Sequence, residues 1–160
     1  MSINEKEKNN NITLRLAILL DCEIVFEMAN DALTRQNAFH MDQIPYDEHV
    51  PWFIQKIKSE QCLFYIAEIE GNVIGQIRID CSDDKRHGNI SYSVHHEHRG
   101  KGYGTEILQH ALILPEIQEI VVLIGEVKID NIASQKSFLK AGFRKVESGD
   151  IIRFYFKVGK

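Results

Sequence analysis

Hydrophobic and polar positions divide the chain into strand-like and helix-like runs with clear punctuation between them. Ile12 to Ile18 alternates around Arg15 and predicts a first strand, after which Asp21 is placed to cap a helix running to about Ala29. Asn30 to Ile44 is polar and irregular and predicts a loop. A second helix starts at Asp47, with Trp52, Phe53 and Ile57 on its apolar face and Pro51 tolerable only in its first turn. Cys62 to Ile69 and Val73 to Cys81 predict strands joined by a turn at Glu70-Gly71-Asn72. Along the second of these, Gln76, Arg78 and Asp80 alternate with Gly75, Ile77 and Ile79, so a polar row shares one face. A charged loop, Ser82 to His87, leads to the strand Gly88 to Val94. Thr105 to Ile113 reads as a helix, Ile120 to Val127 as a strand, and Asn131 to Gly142 as a helix capped by Asn131 and stopped by Gly142. Phe143 to Glu147 and Ile151 to Val158 form a last hairpin around Ser148-Gly149-Asp150. The order βααβββαβαββ predicts an α/β sandwich, one mixed and mostly antiparallel sheet with helices on both faces.

Composition narrows the class without changing that picture. A length of 160 residues suits one domain, read here as residues 12–160 behind a disordered polar tail, Met1 to Asn11. The net charge of −4 gives no reason to expect a nucleic-acid or anionic-membrane partner. No run approaches the length of a membrane span and the N-terminus has no signal-peptide core, so a cytoplasmic location is expected. Cys22, Cys62 and Cys81 are odd in number and outside any C-x-x-C pattern, which suits free thiols in a reducing compartment. None of the seven histidines has metal-binding helical spacing, and no metal is expected.

The candidate chemistry centres on Arg99-Gly100-Lys101-Gly102-Tyr103-Gly104, between the strand Ile90 to Val94 and the helix from Thr105. Unpaired N–H groups of such a turn, the positive end of the helix dipole and glycines that admit close approach make an anion site. Thr105 and Glu106 after Gly104 exclude a Walker A loop, and the run G-x-G-x-G is not the dinucleotide fingerprint G-x-G-x-x-G. What remains is R-x-x-G-x-G.

That loop resembles the pyrophosphate loop of the GNAT family of N-acetyltransferases. A second segment, Asn131-x-x-Ser134-x-x-x-Phe138-x-x-x-Gly142-Phe143, is similar to the family's other cofactor segment, whose helix lies beside the pantetheine arm. The resemblance implies acetyl-CoA as acetyl donor. It assigns cofactor contact to Val94, His96, Arg99, Gly100, Lys101, Gly102, Tyr103, Gly104, Thr105, Asn131, Ser134, Ser137 and Phe138. It also implies a backbone N–H around Val94 and His95 that holds carbonyl charge. A base is required because a primary amine is protonated at neutral pH; Glu126 is the first candidate and His95 the alternative. Many members carry a Tyr where this chain has Phe138, which leaves the acid open among Tyr92, Tyr103, a water or none.

Acceptor recognition falls to the N-terminal third. Asn30 to His40, with Ile44, the run His49 to Phe53 and Gly75 to Asp80, resembles the branch that acetylates nucleotide-linked 4-amino sugars. On that reading the acceptor meets Arg35, Asn37, Phe39, His40, His49, Trp52, Gln76, Arg78 and Tyr92, with Arg35 and Arg78 on a diphosphate and Phe39 or Trp52 stacked on a ring. Trp52 taken alone reads as core. The alternatives are a protein N-terminal acetyltransferase of the ribosomal-protein type and a non-catalytic acetyl-CoA-binding module. A homodimer is compatible with either.

Overall fold

A computed structural model describes residues 11–159. All of the expected tail except Asn11 lies outside those residues. Seven strands form a single sheet in the order β1-β2-β3-β4-β5-β7-β6. They are β1 (Ile12–Leu16), β2 (Cys62–Ile69), β3 (Asn72–Cys81), β4 (His87–Val94), β5 (Val122–Lys128), β6 (Arg144–Ser148) and β7 (Ile151–Lys157). Five helices accompany them: α1 (Cys22–Asn30), α2 (Ala32–Asn37), α3 (Tyr46–Lys58), α4 (Tyr103–Leu112) and α5 (Ile132–Lys140).

Alternation along β2 places helices on both faces of the sheet. Phe64 and Ile66 pack with Val25 and Met28 of α1 and Phe53 of α3. Tyr65 and Ala67 point the other way, into the larger core with Ile107, Leu108 and Ala111 of α4 and Phe138 of α5. Register carries this division across the sheet. Phe64 pairs with Arg78 and Ile66 with Gln76, and these pair in turn with Ser91 and Ser93. The polar row of β3 therefore lies on the α1/α3 face, while Ile77 and Ile79 are buried beneath α4.

Every strand pairing but one is antiparallel. β4 and β5 run parallel and remain paired only at His87 with Val122, Gly88 with Leu123 and Asn89 with Ile124. Beyond these three pairs they diverge, and a cleft opens between the second half of β4 and Glu126 of β5.

Three local expectations change. The segment expected to be a loop contains α2, a six-residue helix whose N-cap, Asp31, accepts the Thr34 N–H. Its signal is short and it buries no side chain, so hydrophobic periodicity does not reveal it. Asp21 gives α1 no side-chain cap; its carboxylate takes the Ile18 N–H and both terminal nitrogens of Arg15. Pro51 lies inside α3, beyond the first turn, because that helix begins at Tyr46 after Pro45.

Candidate acetyl-transfer site

Gly100 and Gly102 have φ of 76° and 81°, the left-handed region that L side chains rarely adopt. A Cβ at either would meet nothing within 4 Å, so the cradle around the loop is open. Gly102 is the N-cap of α4 and offers no side chain, which leaves the first-turn N–H groups facing that space. The loop thus suits a diphosphate. Arg99 at its entrance donates to the carboxylate of Asp31 and, at 3.2 Å, to Thr34 Oγ1.

The second cofactor segment meets the loop through Tyr92. Its register partner is Ile77, so its ring lies on the α4/α5 face, opposite Gln76 and Arg78. The hydroxyl donates to Ser134 Oγ at 3.1 Å, and a Cβ on Gly104 would lie 3.0 Å from Tyr92 Cε2 and 3.2 Å from Ser137 Oγ. Tyr92, expected at the acceptor, lines the cavity, with period-two alternation turning its ring to the α4/α5 face. Burial raises its pKa, against the lowering effect of its hydroxyl contacts. Asn131 accepts the Ser134 N–H and caps α5. Phe138 is buried, its ring 5.1 Å from Phe154 and 5.7 Å from Tyr92.

The end of β4 separates Val94 from His95. The His95 N–H donates to the Ile74 carbonyl of β3 at 2.7 Å. Successive N–H groups of a strand point to opposite sides, so that of Val94 points into the gap left by β5. The His95 ring does not line the cavity. Its Nδ1 accepts the Glu97 N–H and its Nε2 lies 3.2 Å from Glu27 Oε1. With Nδ1 engaged in the turn after β4 and Nε2 facing Glu27 of α1, the His95 ring is held away from the cavity. His96, Lys101 and Thr105 likewise stand outside the cavity wall. Glu126 does line it, just past the last β4–β5 pair, with Oε1 3.8 Å from Arg153 Nε.

The cavity has a volume of about 1090 Å³ and runs from the loop to the α1/α3 face. On that face Gln76 Nε2 donates to Ser93 Oγ at 2.9 Å, and Gln76 Oε1 is buried with no partner among the described residues. The Arg78 guanidinium lies 5.0 Å from the Trp52 ring centroid and donates through Nε to Asp80, which Lys56 also holds at 2.7 Å. Burial works to raise the Asp80 pKa, but the two cations outweigh it and hold the carboxyl below its usual range. Trp52 both lines the cavity and packs edge-on against Phe64.

Arg35, Asn37, Phe39 and His40 also line the cavity, but Arg35 does not present a free guanidinium. It donates to the carbonyls of Ala29 (2.6 Å), His40 (2.9 Å) and Asp42 (3.3 Å), and so clamps the loop after α2. The expected diphosphate contact is replaced by a structural one. His49 is corrected in the same way. It is 1% exposed, its Nε2 lies 3.0 Å from the Cys22 carbonyl, and burial lowers its pKa. Sequence reasoning did not single out Thr34, Ser91 or Ser93, which the register and the fold of α2 bring to the cavity, nor Asp31, which caps α2 beside it.

Residues 11–144 match the model of the acetyltransferase (GNAT) domain. The chain belongs to the GNAT acetyltransferase family. An N-alpha-acetyltransferase of Sulfurisphaera tokodaii is 23% identical over 172 residues, covering 100% of this chain and 95% of the relative. The spermidine N-acetyltransferase of Vibrio cholerae, solved with CoA and spermine, superposes with a TM-score of 0.83 at 19% identity over 93% of this chain and 96% of its own. A ribosomal L7/L12 alpha-N-protein acetyltransferase solved with coenzyme A gives 0.78 at 14% identity over 92% and 94%. This GNAT protein is an acetyl-CoA-dependent N-acetyltransferase. Among its described residues no helix is long and apolar enough to cross a membrane.

Proposed function

We propose that this acetyltransferase acylates the 4-amino group of a nucleotide-linked amino sugar. The observation that carries the reading is Arg78 stacked on Trp52 within a polar cavity wall of Gln76, Ser91 and Ser93. Lys56, Arg78 and Asp80 bring two cations to one carboxylate, which favours an anionic acceptor. Across the whole cavity the charged lining is Arg35, Arg78 and Arg99 against Glu48 and Glu126. A polycationic amine needs an acidic wall instead.

Bound in the cleft, acetyl-CoA supplies an acetyl group activated as a thioester. The chain's part is electrostatic and prototropic. The Val94 N–H is directed where a carbonyl oxygen gains charge. Glu126 accepts the amine proton through a water. Tyr92 holds a proton on its hydroxyl beside Ser134, on the side of the sheet where the leaving sulfur departs.

A second reading, acetylation of a protein N-terminus, is favoured by the N-alpha-acetyltransferase relative that covers the whole chain. Mass spectrometry of acetyl transfer from acetyl-CoA to a UDP-linked 4-amino-6-deoxy sugar, a set of peptides with free N-termini and spermidine separates the readings. Product on the nucleotide sugar supports the first; product on peptides alone replaces it with the second. The three free cysteines suit a reducing compartment, and the proposed site of action is the cytoplasm.

A further inference from the structure

The segment 30–44 forms the outer wall of the acceptor half of the cavity and is closed on itself. Asn30 exchanges two hydrogen bonds with Ile44, at 2.8 and 2.7 Å, and Arg35 clamps three carbonyls within the segment and at its entrance. Its helix, α2, has six residues and buries none of them, so packing contributes little to its order. Among the described residues, hydrogen bonds from two basic side chains of the cofactor half attach it. One is peripheral, from Lys128 Nζ to the Gln36 carbonyl at 3.1 Å. The other is the pair between Asp31 and Arg99, residues 68 apart in sequence, with side chains 18% and 30% exposed.

Asp31 serves both sides of that junction. Its Oδ2 accepts the Thr34 N–H at 3.2 Å, capping α2, and also accepts from Arg99, which in turn donates to Thr34 Oγ1. Arg99 immediately precedes Gly100 and Gly102, whose positive φ values shape the cofactor loop. We propose that Asp31 is a positioning residue that makes the order of the acceptor wall depend on the order of the acetyl-CoA loop. A loop fixed by the cofactor presents Arg99 in one place and keeps the cap of α2 engaged; a loosened loop withdraws it. By linkage, an acceptor that orders segment 30–44 must tighten cofactor binding by the same factor. The inference rests on acetyl-CoA binding at the loop and is independent of which amine is acylated.

Hydrogen-exchange mass spectrometry with free CoA as the probe tests it. In the wild-type protein, saturating CoA is expected to slow exchange across residues 32–44 by about fivefold or more, the lower end of ordinary coupling. Asp31→Asn keeps a good N-cap for α2 and removes the charge that holds Arg99. In that variant CoA is expected to protect residues 99–106 but no longer 32–44, an outcome that a merely structural role would not produce. Unchanged exchange over 32–44 in the wild type would overturn the proposal without any variant, and so would equal protection in wild type and Asp31→Asn.

Discussion

Gly125 leaves the space that the ring of Phe138 fills: a Cβ on Gly125 would lie 2.5 Å from Phe138 Cζ and 2.6 Å from Cε1. The ring of Phe138 therefore packs on the bare backbone of β5, and it also borders the cavity. Gly125→Ala is accordingly expected to overpack the core by about 1–3 kcal/mol and lower the melting temperature by several degrees. A Gly125→Ala variant with unchanged melting temperature would contradict this packing.

Phe138 carries no hydroxyl, and the one proposed to protonate the leaving sulfur is that of Tyr92, bonded to Ser134. Its raised pKa keeps it protonated beyond the ordinary value of about 10, so no loss of this proton is expected below that pH. Tyr92→Phe should lower kcat by roughly tenfold to a hundredfold, at or below the lower end of general-acid effects, with the Kd for CoA nearly unchanged. Steady-state kinetics beside calorimetric CoA titration checks the split; a loss confined to CoA affinity would make Tyr92 a packing residue.

Arg35 and Arg78 should separate cleanly. Arg35 is engaged by three carbonyls, so Arg35→Ala is expected to destabilise the wall of segment 30–44, seen as faster hydrogen exchange there. Arg78 faces the cavity over Trp52, so Arg78→Ala should raise the acceptor KM by about tenfold or more and weaken its salt dependence. Equal effects of the two variants on acceptor KM would contradict this division.

The division also marks what was legible in the sequence. The cofactor half was, because a strand, a glycine turn and a helix start are local signals, and β2 falls on Cys62–Ile69 as the pattern predicts. The polar row of β3 was legible for the same reason. Arg35, His49, Tyr92 and His95 were not, since residue type carries no information on which partner claims the side chain. Tyr92 needed the β3–β4 register, and His95 needed the positions of Ile74 and Glu27. Asp31 was hidden because its partner, Arg99, is 68 residues away.

Gly102 has positive φ and open space around it, so two effects act on a substitution. Gly102→Val strains the backbone by about 1–3 kcal/mol and puts side-chain bulk where a diphosphate must approach. Calorimetry should register loss of CoA binding in a protein that still folds. Retained affinity would remove the anion-loop argument.

His49 should contribute a pH dependence. Burial lowers its folded pKa below the unfolded value of about 6.5, so the unfolded state binds its proton first. The stability gained by keeping it neutral is full above that value and is lost as pH falls through the lowered folded pKa. His49→Gln should therefore show a smaller drop in melting temperature between pH 7.5 and 5.5 than the wild type. Identical drops would assign the acid sensitivity elsewhere.

The most direct measurement is a crystal structure with CoA and the UDP-linked 4-amino sugar bound together. The expected result places the CoA diphosphate against the Gly100–Gly104 loop, the sugar amine in the gap between Val94 and Glu126, and the sugar nucleotide's diphosphate beside Arg78. A nucleotide sugar bound away from Arg78, or CoA seated with its diphosphate elsewhere, would contradict the proposed site.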